Sequence, residues 1–160
     1  MTETSKRHQL WELRMIGEWL AQTFPDAEWR TNVRLGELQP RDLQGRYTYD
    51  ELAGLGVWRR WVDAIVILPD RLLLVEAVLR AHPGKLSVLD LYESLVPHTP
   101  ELAAYHDRRV QKILLYAVPD PAVDALAGRH QILAIQYVPT FVDAWLATLR
   151  PRDQRAPRNY

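Results

Sequence analysis

Two acids stand in apolar runs where carboxylates are costly. The segment WVDAIVILPDRLLLVEAVLR, residues 61–80, holds Asp63 in its first run and Glu76 in its second, with Pro69 and Asp70 between them. A carboxylate placed for burial needs a metal, a hydrogen bond or a counter-charge to offset its lost hydration. If Pro69 and Asp70 form a two-residue hairpin loop, Leu68 pairs with Arg71, and counting back sets Asp63 opposite Glu76 on one sheet face. A four-residue loop over 68–71 keeps that register, whereas a three-residue loop puts the acids on opposite faces and dissolves the site. Opposite each other, the two carboxylates lie within metal-sharing distance. The competing reading pairs them with Arg59, Arg60 or Arg80 near a sheet end.

This hairpin resembles the PD-(D/E)XK nuclease superfamily, in which an acid on one strand is followed after a short turn by Glu-x-Lys on the next, and that strand feeds a helix. Asp63 matches the first acid and Glu76 the second, but Val78 holds the lysine position. The segment GKLSVLDLYESLVPHTPEL follows, with the Leu-x-x-Tyr pattern common after the family's last motif strand. The resemblance covers roughly the whole domain in element order. It implies an α/β fold with a central mixed sheet of about five strands flanked by helices, a restriction-endonuclease-like core. It further implies that Asp63 and Glu76 are the metal ligands for Mg²⁺ or Mn²⁺, which would activate water and stabilise charge on a phosphate.

A valine cannot do the work of the motif lysine. Arg80, on the strand face of Glu76, and Lys85, at the start of the next helix, are the substitutes; a guanidinium is too basic for proton transfer at neutral pH. Some superfamily members carry the lysine on the neighbouring helix, which favours Lys85. An acid on the first helix is also frequent in the family, and both Glu12 and Glu18 are candidates.

Val78 therefore implies a nuclease fold whose catalytic site has decayed, retained as a structural or protein-binding module that needs no cofactor. The phrase VEAVLRAHPGKLSVLDLYESLVPHTPEL resembles sequences carried by bacteriophages and prophages, which implies a virion component of the head or neck with protein neighbours as its partners. The alternative is a Mg²⁺-dependent DNA endonuclease or exonuclease using Asp63, Glu76 and Lys85. A third reading is a small regulatory protein that binds another DNA-processing enzyme.

The elements that must position these residues follow from periodicity. Residues 6–23 read as an amphipathic helix with Leu13, Ile16, Leu20 and Phe24 on one face, Ser5 as N-cap and Pro25 as its end. A strand is expected over 28–36 and a long loop excursion over 37–56, rich in Pro, Gly and polar residues. The hairpin strands occupy 57–68 and 71–79, and a helix 84–96. A strand at 110–118, a helix at 121–127, a strand at 131–138 and a helix at 141–149 complete one domain over 1–150, followed by a basic tail over 151–160. Strands alternating with helices in this second half require crossovers and a largely parallel arrangement.

Composition bounds the rest. With 160 residues, 48% hydrophobic and 25% charged, the chain is an ordinary globular domain. No cysteine is present, so disulfides and thiolate metal sites are excluded. The five histidines follow no zinc-ligand spacing, and Gly54 and Gly56 lack the lysine that a phosphate loop needs. A net charge of zero counts against bulk attraction to nucleic acid, although arginines gather at 59–60, 108–109 and in the tail. The polar start MTETSKRHQLWELRM lacks the apolar core of a signal peptide, and no run reaches membrane-spanning length. The expected location is the cytoplasm or a virion.

Overall fold

The computed structural model describes residues 3–37, 48 and 59–148, with side chains from residue 10 to residue 147 within those stretches. The excursion expected at 37–56 lies, but for Glu37 and Thr48, outside the described residues, as does the basic tail at 151–160. Tyr47, Tyr49 and Trp58, aromatic residues in and beside that excursion, lie outside them too.

The chain is α/β. Helix α1 (Glu3–Thr23) leads into β1 (Glu28–Leu35), β2 (Arg60–Ile67) and β3 (Arg71–Arg80); then follow α2 (Gly84–Leu95), β4 (Arg109–Val118), α3 (Pro121–Ala127), β5 (Ile132–Gln136) and α4 (Val142–Thr148). The five strands form one sheet in sequential order. Strand β1 pairs antiparallel with β2 and β2 antiparallel with β3, whereas β4 adds parallel to β3 and β5 parallel to β4. The parallel half needs crossovers, and α2 and α3 supply them.

Helices cover both faces. On one, α2 and α3 contribute Leu86, Leu89, Tyr92 and Val123 to a core with Ile65, Leu72, Leu74, Val78 and Leu114. On the other, Met15, Ile16, Trp19 and Leu20 of α1 and Trp145 of α4 pack on Ala64, Val66, Val75, Ala77 and Leu115. Covered on both sides, β3 is apolar along nearly its whole length rather than alternating, as a central strand requires. Glu76 interrupts that run.

Two details differ from the sequence expectation. Helix α1 begins at Glu3, so Ser5 lies inside it rather than capping it. The buried stripe of α1 is Met15, Ile16, Trp19 and Leu20, and Leu13 is 38% exposed. The helix is turned so that the large indole of Trp19 fills the core, and Leu13 is carried to the rim of a pocket instead.

Candidate active site

The hairpin turn is the two-residue one: Leu68 N–H donates to the Arg71 carbonyl at 3.0 Å, and Ile67 pairs with Leu72. Continued along the strands, this register sets Asp63 opposite Glu76. The pairing ends at Ala64 and Val75, one step before the two acids. Beyond that point β2 leaves β3, and the Ala77 N–H would lose its ladder partner. Asp63 replaces it, its Oδ2 accepting from the Ala77 N–H at 2.8 Å. A carboxylate thus fills the gap where the strands part.

Lysine arrives from the next element. Ala81 N–H donates to the Val118 carbonyl at 2.9 Å as β3 ends, and the turn through His82 and Pro83 starts α2 with bonds from Lys85 N–H to the His82 carbonyl and from Leu86 N–H to the Pro83 carbonyl. Lys85, the second residue of α2, is thereby directed back at the sheet, and its Nζ forms an ion pair with Glu76 Oε1. Val78, which occupies the motif lysine's place, is 2% exposed and belongs to the apolar core. Arg80 lies at the exposed end of β3. Arg59 is bound to Glu101 at 2.7 Å, and the ionic partner of Glu76 is Lys85, so the arginine pairing considered for the acids gives way to a lysine.

Of the two first-helix candidates, Glu12 is the one placed near Asp63. It lines a pocket of about 450 Å³ together with Leu13, Asn32, Trp61 and Asp63. Glu18 lies elsewhere: it accepts from Tyr137 Oη at 2.7 Å and from Thr140 N–H at 3.0 Å, tying α1 to the chain after β5. Asn32 had no signal beyond its type, one of the few residues that tolerate left-handed backbone. Its φ is 50°, and it interrupts the β1–β2 ladder between the pairs Thr31–Ala64 and Val33–Val62, opposite Asp63.

The electrostatics follow from three acids and one amine in a half-dry site. Burial raises Glu76 to about 7, the Asp63 charge adds to the rise, and Lys85 opposes it. Burial also lifts Asp63, against the Ala77 N–H and Lys85, and lifts Glu12, against Lys85. Burial disfavours the charge on Lys85, but Glu76, Asp63 and Glu12 more than compensate, and its pKa is raised. Burial and the charges of Glu76 and Asp63 keep the Tyr92 phenol neutral.

The donor set suits a hard divalent ion. Among the described residues, no three His, Cys, Asp or Glu side chains are gathered closely enough to hold one ion between them. Two carboxylates suffice for Mg²⁺, which keeps several of its waters. Glu76 Oε2 is buried and has no hydrogen-bond partner among the described residues, an arrangement that a proton or a cation would satisfy.

No protein-family model matches the chain, and no curated protein matches it either. Three solved structures are similar to it. A repair endonuclease from Pyrococcus abyssi is 11% identical over 78% of this chain and 46% of its own, with a TM-score of 0.46. A protein of unknown function, AF1548, is 12% identical over 91% of this chain and 73% of its own, with a TM-score of 0.51. Protein VC1899 from Vibrio cholerae is 15% identical over 85% of this chain and 32% of its own, with a TM-score of 0.48. The chain spans less than half the length of the endonuclease and about a third of the Vibrio protein. At 12% identity and a TM-score of 0.51, the likeness to AF1548 is one of fold.

Proposed function

We propose that the protein is a metal-dependent nuclease in which Asp63 and Glu76 hold Mg²⁺ or Mn²⁺ and Lys85 replaces the lysine absent at Val78. The observation that carries this reading is the Lys85–Glu76 ion pair beside Asp63. Val78 was the reason to expect a decayed site, and an amine reaching the same carboxylate from α2 removes that reason. A bound divalent ion would supply an activated water and charge neutralisation at the scissile phosphate.

The side chains have separable parts. Asp63 is oriented by the Ala77 N–H, which leaves its Oδ1 for a cation. Glu76 contributes Oε2 and gives Oε1 to Lys85. Lys85, held charged by the three acids, acts as a donor to developing phosphate charge rather than as a proton acceptor. With its pKa near neutrality, Glu76 can release a proton as a cation arrives.

Calorimetric titration of Mn²⁺ and Mg²⁺ into the wild type and Asp63→Ala, with supercoiled and single-stranded DNA incubated in the same buffers, tests the proposal. Metal binding and cleavage that both vanish in the variant support it. Neither binding nor cleavage in the wild type overturns it.

The second reading keeps the fold as a protein-binding module, for example in a phage head or neck. One observation favours it: Lys85 already neutralises Glu76, as a purely structural ion pair would. The same titration separates the two readings, since a structural pair binds no metal.

A further inference from the structure

The pocket beside Asp63 has a chemistry that the nuclease reading does not use. Trp61 is 52% exposed although it lies in a strand of the central sheet. It shares a strand face with Asp63 two residues on, and both line the same pocket. Arg34 is its direct cross-strand partner on β1, and the guanidinium carbon stands over the indole, 4.4 Å from the ring centroid. The position of Arg34 is braced in turn, because Arg59 donates to its carbonyl at 2.9 Å while paired with Glu101.

The rest of the wall agrees. Leu13 adds a half-exposed apolar surface to the pocket, and Asn32 adds an amide on a left-handed backbone. A non-glycine residue held at positive φ beside a site is strain that the surrounding structure must maintain. The pocket therefore combines a half-exposed indole, a guanidinium seated on one of its faces and a polar amide beside Glu12 and Asp63. A π-face with an arginine suits an unpaired nucleobase and its phosphate. Within a duplex, each base face is covered by its neighbours in the stack.

We propose that Trp61, with Arg34 and Asn32, is a stacking platform for an unpaired nucleobase, so that the ligand class is single-stranded nucleic acid, held in the pocket that Asp63 also lines. This rests on the nuclease reading for the fate of the strand, though not for its binding. The platform uses a small cluster rather than a charged surface, which is compatible with a net charge of zero.

The test is fluorescence anisotropy on the full chain in EDTA-containing buffer, where divalent metal cannot support cleavage, with labelled single-stranded DNA, single-stranded RNA and a DNA duplex of equal length. The single strands should bind at least about tenfold more tightly than the duplex. Trp61→Ala should weaken single-strand binding by about five- to one-hundred-fold, the range for losing one base stack. Trp61→Phe should restore most of it, which excludes misfolding as the cause, and Arg34→Ala should reduce the salt dependence. The DNA and RNA arms decide which strand is held. Equal affinity for duplex and single strand, no binding of either, or unchanged affinity in Trp61→Ala overturns the platform. Metal-dependent cleavage with no Trp61 effect would leave the nuclease reading standing without it. Trp61-dependent binding with no cleavage in any metal would do the reverse.

Discussion

The Asp63 carboxylate stands in for a strand: its Oδ2 accepts the Ala77 N–H at 2.8 Å where β2 and β3 stop pairing. The bond leaves that carboxylate fixed beside Glu76, the residue before Ala77 on β3. One hydrogen bond thus closes the sheet and orients an acid. Two variants separate these roles.

Asp63→Asn retains an acceptor for the Ala77 N–H and removes a charge that burial disfavours and that raises Glu76. It is expected to melt at or above the wild-type temperature while binding no Mg²⁺. Asp63→Ala orphans the amide and is expected to lose about 1–3 kcal/mol. Urea unfolding and metal titration of both variants check the pair of outcomes, and equal destabilisation would refute the separation.

Stability should fall as pH rises toward neutrality. Glu76 goes from 4.5 to about 7 on folding, so the folded state holds its proton more tightly than the unfolded chain. The stability this gives is fully present below pH 4.5 and is lost as pH climbs to about 7, by on the order of 3 kcal/mol at most. The raised pKa of Lys85 keeps it charged across that window and adds no slope there. Denaturation of metal-free protein at pH 5 and pH 8 should show the loss, and Glu76→Gln should flatten it.

Removing the amine should cost both stability and activity, unequally with pH. In Lys85→Met, Glu76 loses its ionic partner in a buried place, and its pKa rises further. The variant is expected to be close to wild type in stability at pH 5 and about 1–3 kcal/mol weaker at pH 8. Cleavage should fall by about 10²- to 10³-fold at saturating Mg²⁺. Single-turnover cleavage and parallel melts would show whether the activity loss exceeds the folding loss.

Restoring lysine to the motif position should not help. Val78 packs among apolar residues at 2% exposure, and Lys85 already pairs with Glu76. Val78→Lys would bury a second ammonium beside the first and is expected to destabilise the fold by on the order of 3 kcal/mol, with no gain in cleavage. A more active and equally stable variant would show that the site still has room for the original residue.

The elements were legible in the chain because their signals are local. The alternation of apolar runs and turn residues located β1 to β5, and the Pro69–Asp70 loop carried the register that sets Asp63 opposite Glu76. That inference needed only the two-residue side-chain period of a strand and a turn length. Lys85 was legible as a candidate because it begins the helix directly after the motif strand. Periodicity alone misjudged α1, since Leu13 and Trp19 both fit an apolar face and only the packing partners on β3 and β4 decide which is buried.

The sequence by itself determined the strand order of acids, the two apolar sheet faces and the helix that carries Lys85, since each depends on residues near in the chain. Tertiary structure alone decided that Glu12 rather than Glu18 joins the acids, that Lys85 rather than Arg80 meets Glu76, and that Arg34 covers Trp61. These choices turn on how one helix is rotated and where two strands part. Such quantities are set by the fit of whole surfaces and leave no mark on the spacing of residues along a single chain.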